Sequence, residues 1–282
     1  MLVPAPSQAV PAGPIAARWL GYALPPLLAG TTGTARVAVE NAGSATWRSQ
    51  GKEGVQLAYH WLDPLGNPIV WDGARSGFAE PVGPGGRAEV EVALAVPMPP
   101  GDYRLVFDAV HEFRFWFAEV GSPTLDLPVS VLPRIARRAL AVRILGDGPA
   151  SEGTRDALAA QVEPVAGEGE ATAYLAAGCL PAPDWSRRIL DAHEEGFVAV
   201  GGSVEVEGGF GARHLRKALE PWAPGFGRAP EWPRPLLCPS LLAEAPLAEL
   251  EGLPAVDPRA IAGPVLCDGR IRVRLPGGRP PA

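Results

Sequence analysis

Proline and glycine are spread along the chain at a density that argues against an architecture of long helices. The 282 residues include 33 Pro and 34 Gly, about twice the average usage of these two residues. Proline breaks a helix interior and glycine weakens it, whereas both residues are common in turns. Hydrophobic residues make up 47% of the chain, which is enough for a packed core. The composition therefore predicts short strands joined by turns, and not a disordered chain.

The first half of the chain repeats a pattern of alternating apolar and polar residues. Residues 87–96 show it most clearly, and residues 34–40 and 55–61 repeat it between turn-forming segments. Because side chains on a strand alternate between its two faces, this period with frequent turns predicts an antiparallel β-sandwich. We place this domain at residues 16–133, after an N-terminal tail at residues 1–15.

A change of pattern at residues 134–138, which carry three arginines, marks a linker to a second domain at residues 139–282. Apolar runs at 139–145, 171–176 and 197–200 alternate with helical patterns starting near Ser151 and at Asp184. Asp184 is an expected N-cap, and Trp185 and Ile189 share a helix face. Strand–helix–strand alternation predicts a βαβ unit with a parallel sheet. The expected fold class is thus a two-domain chain, with a sandwich followed by an α/β domain.

Charge and cysteine content limit the classes of partner. The net charge is −6 and the pI about 5.3, so we expect no nucleic-acid partner. The three cysteines are widely separated in sequence and predict neither a zinc site nor a disulfide framework. Reduced thiols, the absence of a signal-peptide pattern and the absence of a long apolar run favour a cytoplasmic protein with no transmembrane segment.

The segment 174–202 runs from an apolar strand end through Cys179 and a Pro-rich turn to Trp185, and later reads Val200-Gly201-Gly202. In this order of features it resembles part of the family 2 glycosyltransferases, enzymes of the GT-A fold. The family's Asp-x-Asp motif is absent, because Ala176 and Gly178 stand at its two positions. The resemblance implies a truncated GT-A or Rossmann-like domain. Since that motif supplies the metal ligands, we expect no metal and no cofactor.

The resemblance also implies candidate site residues. Asp147, Gly148 and Thr154 match the family's loop near the nucleotide, and Asp257 stands where the catalytic base would lie. Gly201, Gly202 and the following serine resemble a phosphate loop but lack its lysine, so a flexible turn is the expectation there.

In the first domain, Asn41-Ala42-Gly43-Ser44-Ala45-Thr46-Trp47 resembles a strand end of Ig-like accessory domains. Trp71 and Trp116 fall near strand ends, and Asp72 and Arg75 lie beside Trp71. These four residues are candidates for carbohydrate binding, because aromatic rings stack on sugars and polar neighbours bond hydroxyls. Core packing of the tryptophans and an ordinary surface ion pair of Asp72 with Arg75 are the alternatives.

Three functions follow. The first is a glycosyltransferase-like protein without catalysis, which has an accessory or binding role in glycan or cell-envelope biosynthesis. Its partners would be a glycan, a nucleotide sugar or a protein of an envelope-biosynthesis complex. The second is an active family 2 glycosyltransferase with an atypical metal-free site, so the sequence leaves open whether the protein is an enzyme. The third is a carbohydrate- or protein-binding Ig-like module.

Overall fold

The fold is given by a computed structural model that describes residues 1–10, 12–49, 54–146, 151–206, 235–250 and 252–276. Its internal contacts divide the chain into two compact units, Met1–Leu132 and Pro133–Ala282. None of the described helices has the length and apolar content needed to cross a membrane.

The first unit is built from ten strands and one short 3₁₀ helix, Phe117–Val120, among its described residues. In chain order the strands are β1 (Val3–Pro4), β2 (Ala17–Ala23), β3 (Thr32–Asn41), β4 (Val55–Leu62), β5 (Pro68–Val70), β6 (Ser76–Gly77), β7 (Arg87–Ala95), β8 (Gly101–His111), β9 (Phe115–Trp116) and β10 (Leu125–Val131).

These strands form two antiparallel sheets. One has the order β1-β2-β3-β7, and the other has the order β10-β8-β4-β5, with β6 against β4 and β9 against β8. Alternation explains the packing of β7, because Val90, Val92 and Leu94 are buried while the residues between them face outward. Side chains of both sheets, among them Val92 and Leu57, belong to one hydrophobic core. The arrangement is that of a β-sandwich.

The second unit contains both strands and helices. In chain order its described elements are β11 (Leu140–Leu145), α1 (Glu152–Ala159), β12 (Val165–Ala166), β13 (Ala171–Ala176), β14 (Leu180–Pro181), α2 (Trp185–Glu195), β15 (Ala199–Val206), β16 (Leu236–Leu237), β17 (Ser240–Leu241), β18 (Ala248–Leu250), β19 (Leu253–Val256), a 3₁₀ helix (Pro258–Ala260) and β20 (Val265–Leu275).

The expected fold class, with an α/β GT-A or Rossmann-like second domain, is wrong. Strands account for 46% of the structure and helices for 11%, and the described residues contain only two α-helices. Strands β11 and β13 are parallel, as are β15 and β20, but β17 runs antiparallel between β13 and β15. The resulting sheet, β12-β11-β13-β17-β15-β20-β14, is mixed, and β16, β19 and β18 form a separate antiparallel sheet. A doubly wound domain needs a mostly parallel sheet with helices on both faces.

Helix α2 packs against the core of the second unit. Trp185 and Ile189 are 0% and 1% exposed, which confirms the expectation that they share a buried face. Asp184 lies at the N-cap position, as expected, but its side chain makes no capping bond and instead accepts a bond from Arg188 Nε at 2.7 Å.

The flexible turn expected at Gly201 and Gly202 is also wrong. Both glycines lie inside β15, where the pairing with β20 shifts its register between Gly201 and Ser203. A Cβ atom built on Gly202 would lie 1.8 Å from the carbonyl oxygen of Ile271. Glycine is present because the two backbones approach too closely for a side chain.

Candidate functional site

The outer face of the second sheet carries a buried histidine beneath an exposed tryptophan. His60 lies on β4, out of phase with the core residues Leu57, Tyr59 and Trp61, so its side chain points away from the sandwich core. The ring of Trp71, just after β5, stacks on the His60 ring with centroids 4.2 Å apart and planes 23° apart. His60 Nδ1–H donates to the Trp71 carbonyl oxygen, which fixes the tautomer because a carbonyl only accepts. Burial lowers the pKa of His60, so the imidazole is neutral at pH 7.

Trp116 completes the aromatic cluster. Strand β9 places its ring edge-on to His60, at 4.4 Å and 62°, and its centroid lies 6.2 Å from that of Trp71. These distances lie in or near the usual range for aromatic pairs. His60 therefore contacts the rings of both tryptophans from the side of the sheet.

Arg75 joins the aromatic cluster to two carboxylates. Its guanidinium carbon lies 4.7 Å from the centre of the Trp116 ring, a cation–π contact. Its Nε donates to Glu112 at 2.6 Å, its second terminal nitrogen donates to Asp72 at 2.7 Å, and its first donates to the Gly73 carbonyl at 2.9 Å. The guanidinium is thus held in one orientation by three partners.

The four predicted carbohydrate-binding residues are therefore brought together. We call Trp71, Asp72, Arg75 and Trp116 the Trp71 surface. Trp71 is 52% exposed although His60 covers one face of its ring, so the opposite ring face is the part that solvent reaches. The Asp72 side chain is 70% exposed beside it. The surface offers a flat apolar face next to a hydrogen-bond acceptor and a fixed cation.

Sequence reasoning missed the roles of His60 and Glu112. Alternation along β4 did contain a signal for His60, because a polar residue out of phase with Leu57, Tyr59 and Trp61 must lie on the outer face. For Glu112, which follows β8, no local pattern predicted its pairing with Arg75, since that contact joins residues far apart in the chain.

Of the residues expected to bind a nucleotide or act as a base, the structure describes Thr154 and Asp257. Asp147 and Gly148 lie outside the described residues. Thr154 is fully buried, and its hydroxyl oxygen accepts a bond from the Gly178 N–H at 3.1 Å, so it joins the start of α1 to the turn after β13. Asp257 accepts from the N–H of Arg259 at 2.9 Å and pairs with its side chain at 2.6 Å. Both residues have local structural partners.

The sequence lacks the Asp-x-Asp motif that supplies the metal ligands in family 2 glycosyltransferases. No group of three or more His, Cys, Asp or Glu side chains in that part is arranged to hold a metal ion. Cys179, Cys238 and Cys267 form no disulfide. Cys179 and Cys238 meet in the core, where their hydrogen bond and burial raise the pKa of the Cys238 thiol.

His193 and Ser240 form a pair that no sequence pattern indicated. His193 Nδ1–H donates to the Phe197 carbonyl at 2.8 Å, and the Ser240 hydroxyl donates to His193 Nε2 at 2.9 Å. A serine bonded to a histidine is typical of nucleophilic catalysis. Here both side chains are 0% exposed and a backbone carbonyl orients the imidazole, so the pair has no route to a substrate and acts in packing.

No family model and no curated protein matches the chain. Among solved structures, it is similar to a family 123 glycoside hydrolase from Clostridium perfringens, described for glycolipid glycan hydrolysis. Identity there is 10% over 42% of this chain and 24% of that chain, with a TM-score of 0.23. It is also similar to PapD-like domain 7 of human CEP192, an ASH/PapD-like domain. Identity there is 18% over 38% of this chain and 75% of that one, with a TM-score of 0.19. The chain thus spans about a quarter of the hydrolase's length, and at these TM-scores neither likeness carries an argument.

Proposed function

We propose that the first unit binds carbohydrate through the Trp71 surface. The observation that carries the proposal is the ring of Trp71, which is 52% exposed while His60 supports its other face at 4.2 Å. An exposed tryptophan face supported from beneath is suited to stacking on the C–H groups of a sugar ring.

Polar groups beside the ring match the hydroxyls that such a sugar presents. Asp72 has acceptor oxygens free of its single bond to Arg75, and the guanidinium edge of Arg75 supplies donors. The two carboxylates of Asp72 and Glu112 both pair with Arg75, so this group of three side chains carries a net negative charge. That charge disfavours the binding of an anion. We therefore expect a neutral glycan.

The contacts beneath the surface favour binding by reducing its entropic cost. Arg75 is held by Asp72, Glu112 and Gly73, and Trp116 is held between Arg75 and His60. Side chains already fixed in the free protein lose little freedom when a ligand binds.

Within this proposal the whole chain acts as an accessory protein that recognises a glycan. A role in an envelope-biosynthesis complex, a cytoplasmic location and a transferase activity of the second unit stay predictions. The transferase prediction presupposed a GT-A fold, whereas the sheet of the second unit is mixed.

The test is isothermal titration of the full chain with neutral hexasaccharides, namely cello-, malto-, xylo- and chitohexaose. We expect one of them to bind, and Trp71→Ala to weaken that binding by at least about 2 kcal/mol, or about 30-fold. Leu65→Ala is the matched control, because Leu65 is an apolar side chain, 87% exposed, that lies in the turn between β4 and β5 and is not one of the residues of the Trp71 surface. Binding that survives Trp71→Ala, or no binding by any member of the panel, contradicts the proposal.

A further inference from the structure

A second site lies in the second unit, in a cavity of about 450 Å³. Its walls are formed mainly by aliphatic side chains, including Ile135, Val198, Leu242 and Ile261. Arg134, Glu170 and Glu244 supply the charged groups of the lining. Aliphatic side chains beside a few charged groups are a usual composition for a small-molecule site.

Arg134 differs from the two arginines that follow it. Arg137 pairs with Glu170 at 3.5 Å, and Arg138 pairs with Asp191 at 2.7 Å and also with Glu163 and Glu194. No hydrogen bond or ion pair joins the Arg134 guanidinium to any residue in the described ranges, and one of its terminal nitrogens is buried without a partner. A buried donor without an acceptor costs free energy, and within the described ranges no carboxylate offsets the charge of this guanidinium.

The backbone holds Arg134 at the cavity. Its N–H donates to the Glu194 carbonyl at 3.1 Å, at the C-terminal end of α2. The negative end of the helix dipole stabilises a cation there, but it does not satisfy the unpaired N–H groups. Burial lowers the pKa of Arg134, which is consistent with a guanidinium that no carboxylate neutralises.

The two carboxylates of the lining do not pair with the Arg134 guanidinium. Glu170 is occupied by the N–H groups of Ala136 and Arg137, at 2.7 and 3.2 Å, and by the Arg137 side chain. Glu244 is exposed. Arg134 therefore faces the cavity as a cation without a counter-ion.

We propose that this cavity binds a small aliphatic carboxylate. Its two oxygens accept a forked pair of hydrogen bonds from Arg134 Nε and the terminal nitrogen that is not buried, a geometry that a guanidinium favours with a carboxylate. Its hydrocarbon body lies against Val198, Leu242 and Ile261. This site is independent of the Trp71 surface.

The test is isothermal titration of the full chain with hexanoate, hexan-1-ol and hexylammonium at millimolar concentrations. The alcohol has the same apolar body without the charge, and the amine reverses the charge. We expect hexanoate to bind and the other two ligands to bind at least about tenfold more weakly, as a charge-assisted hydrogen bond predicts. No binding of hexanoate, or equal binding of hexanol, overturns the proposal.

Substitutions of Arg134 test whether hexanoate binds in this cavity. Arg134→Met keeps the length and apolar stem of the side chain and should weaken hexanoate binding by about tenfold or more. Arg187→Met is the matched control, because Arg187 is an exposed arginine on α2 whose nearest carboxylate contact is 3.9 Å. Arg134→Lys retains the charge and should keep measurable binding, which provides a readout if Arg134→Met does not fold. Unchanged affinity in Arg134→Met, or loss of binding in Arg187→Met to the same extent, overturns the assignment to this cavity.

Discussion

The Ser240 hydroxyl donates a hydrogen bond to His193 Nε2 at 2.9 Å, and through it the short strand β17 is joined to helix α2. Neither side chain is exposed. The bond requires a neutral imidazole, because Nε2 accepts only when it carries no proton. The pair therefore connects the stability of the second unit to pH.

We expect the second unit to lose stability as the pH falls from about 6.5 to about 4. Burial lowers the pKa of His193 to about 4, from an ordinary 6.5. Between these values the unfolded chain binds the proton and the folded chain does not, so the stabilisation is complete above pH 6.5. The difference corresponds to about 3 kcal/mol. Urea denaturation of the wild type and His193→Gln between pH 7 and 4.5 measures it. If both proteins lose the same stability, the dependence does not come from His193.

Asp108 should produce the opposite dependence in the first unit. It is 1% exposed, and burial raises its pKa to about 7, although the N–H groups of Ala109 and Ala118 donate to its carboxylate. The folded chain therefore holds a proton that the unfolded chain releases near pH 4. The stability contribution is greatest below about pH 4 and is lost as the pH rises to about 7, by a few kcal/mol, about 4 at most.

Asp108→Asn provides the comparison for this prediction, because it keeps an acceptor oxygen and does not titrate. We expect the wild type to lose stability relative to Asp108→Asn between pH 5 and pH 8. Denaturant titrations at the two pH values measure this difference. If the difference in free energy of unfolding between the two proteins is the same at pH 5 and pH 8, Asp108 does not change its protonation in this range.

Replacing Trp185 should reveal how much of the second core depends on one side chain. Trp185→Ala removes a fully buried ring and should destabilise the second unit by about 3–5 kcal/mol. Trp185→Phe should cost clearly less, because the indole N–H has no partner among the described residues and its loss removes an unsatisfied donor. Thermal or chemical denaturation of the two variants tests the order, and equal losses would contradict it.

Gly202→Ala should disrupt the pairing of β15 with β20. The added Cβ would meet the Ile271 carbonyl oxygen at 1.8 Å, which forces the backbone to move. We expect the free energy of unfolding to fall by several kcal/mol, whereas a typical point substitution lowers it by about 1 kcal/mol. Gly167→Ala is the control, since a Cβ there meets nothing within 4 Å. The measurement is the free energy of unfolding, and similar losses in the two variants would refute the clash.

Local patterns predicted much of the secondary structure and little of how distant segments meet. Alternation indicated the two faces of β7, and helical spacing indicated the buried face of α2, because each depends on residues close in sequence. Strand β17 is two residues long and pairs with β13 and β15 from far along the chain. No periodicity can be read from two residues, so the sequence predicted a parallel α/β sheet where a mixed one forms.

In the candidate site, too, contacts between residues close in sequence were predictable and contacts between distant segments were not. Trp71, Asp72 and Arg75 are neighbours in sequence, and their proximity to each other was predictable. Trp116 and Glu112 reach them only because β8 pairs with β4 and then turns back through β9. His60 is buried, and its position under Trp71 depends on the turn between β4 and β5.

The insertion of β17 also restricts the order in which the second unit can be assembled during synthesis. Strands β13 and β15 leave the ribosome early, yet each pairs with the same two residues, Ser240 and Leu241. Until those residues emerge, the facing edges of β13 and β15 lack the strand that separates them. A nascent chain halted before Ser240 therefore carries two open strand edges, which are sites for association with other chains. This sheet can be completed only after Ser240 and Leu241 have emerged, whereas all described strands of the first unit have been synthesised by Val131.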